Sequence, residues 1–197
     1  MEALQALLTR RSTRKYKADA VEEEKLELIL RAAAQAPSGG NNQTNHFLVI
    51  RDKDVKDELA SMAEKAFSRM EATEDTYASL RNAINASKRG GYVFHYNAPV
   101  LIAVANRRDY SNNIADCACA LENMMIAANA LDLGSCWVNQ LKWLNEDPEI
   151  NAYLGKLGLR EDERVYGALV LGYPDTEDGL PNRESTPRKG NEVTFTG

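Results

Sequence analysis

Cysteine and histidine are scarce in this chain: three Cys and two His among 197 residues. Cys117 and Cys119 share one helical stretch, where side chains two positions apart point about 200° away from each other. They make no disulfide framework, and with only His46 and His95 to add, no zinc-type site assembles from sequence neighbours. A basic excess is missing as well. The formal net charge of −5 argues against nucleic acid or an anionic membrane as the main partner, so any bound anion must be held by a local cluster of cations. The longest apolar helical stretch is too polar to cross a bilayer. The opening Met1-Glu2-Ala3-Leu4 lacks the basic-then-apolar pattern of a signal peptide, and a cytoplasmic location is expected. Walker and GxGxxG patterns, internal repeats, low-complexity segments and a convincing Ser–His–Asp or Cys–His set are all absent.

What is present is an ordinary soluble composition, 44% hydrophobic and 27% charged, in a chain long enough for one domain with a sizeable core. The organising stretch is Tyr110 to Leu133, followed at once by Gly134-Ser135-Cys136-Trp137. At helical spacing Ile114, Cys117, Leu121, Met124, Ala128 and Leu131 form an apolar stripe. Ala115, Ala118, Ile126, Ala127 and Ala130 carry it around most of the circumference. A helix apolar nearly all round is buried on several sides; this one is expected to serve both the core and a subunit interface.

Other elements follow from periodicity and end signals. Residues 2–9 and Val21 to Ala36 are amphipathic helices, the second with Leu26, Ile29, Leu30 and Ala33 inward. Phe47 to Ile50 reads as a strand, and residues 53–70 and 74–88 as charged helices of a covering or lid segment. Tyr92, Phe94 and Tyr96 alternate as in a strand or serve only as packing, and the lid near residues 67–95 is where substrate contacts are expected. Val100 to Ala105 fits a central strand, Ser135 to Val138 another, and Val165 to Gly172 the last. Asp147 and Pro148 open a helix that stops near Gly155–Gly158. His46 reads as a satisfied structural histidine and Cys136 as a buried strand cysteine. The polar tail, 174–197, has no core of its own and needs something to dock on.

Two polar stretches carry the candidate chemistry. Arg10-Arg11-Ser12-Thr13-Arg14-Lys15-Tyr16-Lys17 is the densest basic cluster. It is either a solvated helix end with cations near the C-terminal dipole or an anion site built from guanidinium forks and a hydroxyl. Pro37-Ser38-Gly39-Gly40-Asn41-Asn42-Gln43 is either an ordinary polar loop or a loop whose glycines let backbone approach a ligand.

Taken in order, Arg10-Arg11-Ser12-Thr13-Arg14, Ala36 to Gln43 with His46-Phe47, Ala98-Pro99, Leu133 to Trp137 and Pro187-Arg188-Lys189 resemble the nitroreductase family of FMN-dependent oxidoreductases over nearly the whole chain. The resemblance implies a single α+β domain over 1–197, with a mostly antiparallel central sheet covered by helices. It also implies an obligate homodimer with FMN at the interface and a domain-swapped C-terminal strand, residues 174–197 forming an arm on the partner. It places Arg10, Ser12 and Arg188 at the ribityl-phosphate, with Lys189 beside them and Arg11 contributing mainly through its backbone. Arg14 would lie toward the pyrimidine edge, where reduced flavin carries negative charge. Pro37, Ser38, Gly39 and Asn41 would pack on the flavin from the other subunit. Trp137, Val138, Asn139 and Gln140 would run along its far side, with the Gln140 N–H reaching N5.

The chain departs from the family pattern at Thr186, where relatives often have a second basic residue, at Asn139-Gln140, often Gly-containing, and at Thr44-Asn45, often Pro-Trp. The implied activity is transfer of hydride from NADH or NADPH to flavin and of two electrons onward to a nitroaromatic, quinone or similar acceptor by a ping-pong mechanism. No side-chain nucleophile or metal is needed. The alternatives are a specialised enzyme on the same scaffold (an ene-type reductase, dehalogenase or flavin-degrading enzyme) and a non-catalytic FMN-binding dimer.

Overall fold

The two most apolar runs of the sequence become the two central strands, β2 (Val100–Arg107) and β4 (Glu163–Gly172). With β1 (His46–Ile50) outside β2 and β3 (Gly134–Val138) outside β4, they form one antiparallel sheet in the order β1-β2-β4-β3. The computed structural model describes residues 1–184 and 186–197. Both faces of the sheet are covered, which explains why its central strands are continuously apolar. Their period of two distributes alternate side chains into two cores. Leu101, Ala103 and Ala105 join Leu59 and Phe67 of α3 (Lys53–Ser68) and Ile84 of α4 (Ala78–Arg89). Val100, Ile102 and Val104 join Leu26 and Ile29 of α2 (Glu23–Ala34) and Leu121 and Met124 of α5 (Asn113–Ala130). Each large aliphatic side chain so buried stabilises the fold by about 1.5–3 kcal/mol. Two further helices, α6 (Gln140–Trp143) and α7 (Pro148–Lys156), close the first core with Leu141, Ile150 and Leu154. The short α1 (Ala3–Thr9) lies along α5, tied there by Asn129 Nδ2 donating to the Ala6 carbonyl at 2.9 Å. This is the α+β arrangement the sequence implies.

Local ends follow their chemistry. Asp147 accepts from the N–H groups of Glu149 and Ile150, each at 3.0 Å, with Pro148 at the first helical position. Asp52 caps α3 through Val55 N at 3.0 Å. His46 Nδ1 lies 2.7 Å from the fully buried Glu163 carboxylate, which also takes the Arg160 N–H at 3.0 Å. The histidine is therefore held structurally, as its sequence context suggests.

Several expectations are corrected. The central helix is shorter at both ends than Tyr110 to Leu133, and Ile114 is 52% exposed rather than in the stripe. The buried face runs through Cys117, Leu121, Met124 and Ala128 as expected, with Asn113, Asp116 and Asn129 on the same side. The other flank (Ala118, Ile126, Ala127, Ala130) is half-buried, so one chain buries only one side of this helix. On α1 only Ala6 is buried, while Leu4 and Leu8 are each 74% exposed. The second lid helix starts at Ala78, not at 74. The Thr76 hydroxyl accepts from Thr73 N at 2.8 Å and so holds residues 73–76 in a turn. Tyr92, Phe94 and Tyr96 are not a strand. Tyr96 and Asn97 have φ of 53° and 56°, the left-handed region, which extended backbone excludes. Within the described part of the tail, Tyr16 and Pro174 form an isolated bridge, and Phe195 is 93% exposed. Among the described residues no helix is long and apolar enough to cross a membrane.

One glycine sets how closely the chain start can approach the sheet. A Cβ at Gly134 would fall 2.7 Å from Thr13 Oγ1 and 2.8 Å from Thr13 Cβ and Cγ2. Gly134→Ala is therefore expected to destabilise the protein by about 1–3 kcal/mol, the cost of overpacking. Urea denaturation checks this; a midpoint equal to wild type would show that Thr13 yields without cost.

Candidate active site

The basic cluster is not a solvated helix end. Beyond the α1 C-cap, Arg10, the chain runs extended along the edge strand β3. Ser12 bridges Ser135 in parallel, and Thr13 N donates to the Ser135 carbonyl at 2.9 Å. Farther along, Lys17 N donates to Tyr173 O at 2.9 Å and Asp175 N to Lys15 O at 3.1 Å. The cluster is thus stitched to β3 and to the exit of β4, and the stitching fixes where Arg10, Ser12 and Arg14 emerge. Arg10 Nε is 3.7 Å from the Glu122 carboxylate. The Arg11 guanidinium is used structurally, donating to the carbonyls of Arg10 at 2.7 Å, Glu184 at 2.8 Å and Leu8 at 3.2 Å. Arg14 has the Cys136 thiol and the Tyr16 and Tyr96 phenols around it and shares a surface cavity with Asp175, but forms no ion pair among the described residues. Burial pushes the Cys136 thiol up, outweighing the pull of Arg14, Ser12 and Arg10, so it stays protonated and unreactive.

The end of β3 supplies the next group. Trp137 Nε1 donates to Asn139 Oδ1 at 2.8 Å, which braces the turn out of the strand. The Val138 side chain is buried in the core, leaving its backbone for any ligand. Gln140 opens α6, a helix the sequence reading did not include. Its side chain is buried, with Nε2 donating to the Tyr92 hydroxyl at 2.6 Å and Oε1 lacking a partner. Burial pushes the Tyr92 phenol up to about 12, partly opposed by the Gln140 hydrogen bond. Arg14, Gln140, Tyr92 and Tyr96 face α4 across a cavity of about 470 Å³, within the size range of small-molecule sites.

The loop Pro37 to Gln43 forms a separate group. Gly39 to Asn41 make a short 3-10 turn, with Gly40 and Asn41 at φ of 59° and 56°. Asp116 near the start of α5 holds it: the carboxylate accepts from Gly39 N at 3.1 Å and from Tyr110 Oη at 3.0 Å. Ser38 Oγ in turn accepts from Gln43 N at 3.0 Å. A Cβ at Gly39 would fall 2.1 Å from Asn112 Nδ2 and 2.6 Å from Tyr110 Oη, so a larger residue there would have to displace both side chains. Asp116 and Tyr110 were not among the sequence candidates, although a buried acid inside an apolar helical stripe was a readable signal. The basic segment is tied to the other end of α5, through Asn129 to Ala6 and to Thr9 Oγ1 at 3.1 Å. From Asp116 to Asn129 the helix rises about 20 Å. One chain therefore does not bring Pro37, Ser38, Gly39 and Asn41 onto the group formed by Arg10, Ser12, Arg14 and Gln140.

The tail passes beside the basic segment. Arg183 binds the Asn129 carbonyl and the Asp132 carboxylate, each at 2.6 Å, and the Glu184 carbonyl receives Arg11. Arg188 and Lys189 are exposed; four residues beyond Glu184, Arg188 is at most about 14 Å away along an extended chain. A second cavity, about 390 Å³, is walled by Val21, Pro99 and Val100 with Lys56 and His95. It shares no residue with the basic segment. The Lys56 ammonium there is committed to the Ala98 and Pro99 carbonyls at 2.6 and 2.7 Å, and burial lowers the His95 pKa.

Comparison with known proteins identifies the fold. A sequence model described as the nitroreductase family matches residues 7–173. A protein of Archaeoglobus fulgidus named as an NADH dehydrogenase/NAD(P)H nitroreductase is 31% identical over 180 residues, covering 89% of this chain and 87% of its own. An NADH dehydrogenase of Thermus thermophilus is 37% identical over 198 residues, covering 92% of this chain and 91% of its own. The crystal structure of a Bacteroides fragilis nitroreductase with bound FMN superposes with a TM-score of 0.84 at 35% identity, covering 100% of both chains.

The Tyr92–Gln140 pair generates a pH prediction. A phenol raised from 10 to about 12 contributes stability that is intact below the ordinary tyrosine value and is lost as pH climbs through the raised one. At roughly pH 10.5, above the ordinary value, folded wild type and Tyr92→Phe are expected to show the same phenolate absorbance. A clear loss of phenolate signal in the variant would mean that Tyr92 titrates as an exposed tyrosine.

Proposed function

The chain belongs to the nitroreductase family, and we propose that it is an FMN-dependent oxidoreductase that takes hydride from NADH or NADPH and passes two electrons to a nitroaromatic, quinone or similar acceptor by a ping-pong mechanism. The observation that carries this reading is the convergence on β3. Arg10, Ser12 and Arg14 emerge along one strand whose end supplies Asn139 and Gln140, with the tail tied down beside them at Glu184.

The residues suit FMN. Arg14 is in no ion pair among the described residues, and the buried Gln140 Oε1 has no partner. Arg10, Ser12 and Arg188, with Lys189 nearby, would hold the phosphate, and the Arg11 backbone would complete that turn. Arg14 would sit at the pyrimidine edge as a fixed cation, favouring the reduced, anionic form. Trp137, Val138, Asn139 and Gln140 would line the ring, with the Gln140 N–H directed at N5. When bound, the flavin supplies the hydride and two-electron chemistry, which no side chain of this chain provides.

The second wall of such a site would come from another copy. The Asp116 and Asn129 anchors on α5 separate the 37–41 loop from the basic segment, so Pro37, Ser38, Gly39 and Asn41 of the partner subunit would complete it. Exposed Leu4, Leu7, Leu8 and Ile114, next to the half-buried flank of α5, offer an apolar surface for that homodimer. Residues 174–184 dock on their own chain instead, so only the arm beyond Glu184 would then reach across, with Val193 and Phe195.

Two measurements test the reading. The purified protein is expected to be yellow, to bleach anaerobically with NAD(P)H, and to oxidise NAD(P)H at steady state with an acceptor present. Flavin that stays oxidised would leave only FMN storage. The double variant Arg10→Ala/Arg188→Ala is expected to lose FMN affinity by about 1.5–3 kcal/mol for each charge-assisted contact removed. Undiminished retention would show that the phosphate lies elsewhere.

A further inference from the structure

The helix α4 turns a polar face toward the cavity beside Arg14 and Gln140. Ser79, Asn82, Asn85 and Arg89 line it, with Tyr92 and Tyr96 closing the far end. Positions 82, 85 and 89 stand at i, i+3 and i+7, one side of a helix, while Ile84 and Ser87 are buried on the other. The plain account of Arg89 is a last-turn cation answering the helix dipole. Its neighbour Lys88 fits that account and is paired, with Nζ 2.8 Å from Glu71. Arg89 is in no ion pair with any described residue, and no carboxylate lines the cavity.

The lining is rich in donors. Gln140 Nε2 donates to the Tyr92 oxygen, which leaves the Tyr92 proton free for a ligand. Asn82 and Asn85 each bring an amide NH2, Ser79 and Tyr96 a hydroxyl, and Arg89 a planar fork of five N–H groups. A lining of donors with two unpaired guanidinium groups, Arg14 and Arg89, in a protein of net charge −5, selects for an anionic, oxygen-rich ligand.

Resting on the FMN reading above, we propose that this cavity selects electron acceptors that carry an anionic group, a carboxylate or sulfonate on the ring, and that Arg89 is the specificity-determining residue. With Arg14 and Gln140 turned to the flavin, Arg89 is the cation left to engage the anion, and the Asn82 and Asn85 amides complete its recognition. The fork orients the acceptor as well as attracting it, so a lysine in its place retains attraction with less of the geometry.

Equilibrium binding of two non-reducible probes of equal shape, benzoate and benzamide, tests this on the protein as purified, by calorimetry. Wild type is expected to bind benzoate the tighter. Arg89→Gln is expected to weaken benzoate about fivefold, the upper end for a charge pair at an exposed position, and benzamide less than about twofold. Arg89→Lys should recover part of the loss, and added salt should shrink the benzoate preference. Equal affinity for the two probes in wild type, or an equal loss of both in Arg89→Gln, overturns the proposal. So does an Arg89→Gln variant whose apparent Kd for NADH or NADPH in anaerobic reduction rises as much as that for benzoate, since the cation then serves the donor's phosphates. The flavin absorbance of the same samples reports separately on the cofactor. Colourless protein overturns the FMN reading and the acceptor role with it, whereas yellow protein that fails the probe comparison overturns this proposal alone.

Discussion

The seam between the extended segment Ser12–Lys17 and the sheet is the constraint on which the rest of the architecture depends. A chain start with three arginines and two lysines within eight residues has every electrostatic reason to stay in water. It is held against β3 and the β4 exit by backbone hydrogen bonds and by one position, Gly134, where the missing side chain lets Thr13 come close. Tyr16 adds an apolar anchor: its ring packs on the first core while its buried hydroxyl donates to Thr13 O at 2.6 Å. Burial pushes that phenol well above the ordinary tyrosine value, so it remains neutral and a donor. Cations whose backbone is fixed in this way have less to lose in ordering when they meet an anion.

The helix α5 distributes what the seam has fixed. Its buried polar residues are not scattered defects. Asn113 binds the Tyr166 hydroxyl at 2.8 Å, Asp116 holds the 37–43 loop, and Asn129 gathers α1 and Arg183. Each buried polar group has a partner, as the cost of leaving one unsatisfied demands. The same helix therefore holds the 37–43 loop at its start and braces the end of α1, just before the basic segment, near its own end. Two copies related by a two-fold axis would exchange those ends, which links the half-buried apolar flank of the helix to the completion of the site.

How much of this was legible depended on the kind of signal. Strands β2 and β4 and the buried stripe of α5 were readable because apolar periodicity reports burial directly. Asp147-Pro148 was readable because cap chemistry is local. The basic segment could be read as a cluster, but not as lying on β3, because its partner Ser135 is more than a hundred residues away. Tyr92, Phe94 and Tyr96 gave a false strand: side-chain alternation says nothing of the positive φ at Tyr96 and Asn97 that turns the chain. The Asp116–Gly39 contact and the polar face of α4 escaped notice for the same reason, since both depend on which distant element stands opposite. The family resemblance supplied the order of the motifs; the distances between them came only with the fold.

Part of the positive charge in this protein is neutralised locally. Arg51 is paired with Glu23, Lys53 with Asp57, Lys88 with Glu71, Arg108 with Glu146 and Arg183 with Asp132. Such surface pairs contribute little to stability, about 0–1 kcal/mol each, but they remove cations from competition for anions. Arg14 and Arg89 are outside these pairs among the described residues, and both border the same cavity. Against an overall negative charge, that cavity therefore holds two guanidinium groups free of acid partners among the described residues. A ligand drawn there meets hydrogen-bond donors at short range, where the protein's net repulsion is screened within a Debye length of about 8 Å. Selectivity in such a site comes from which cations the fold leaves unpaired, more than from how many it carries.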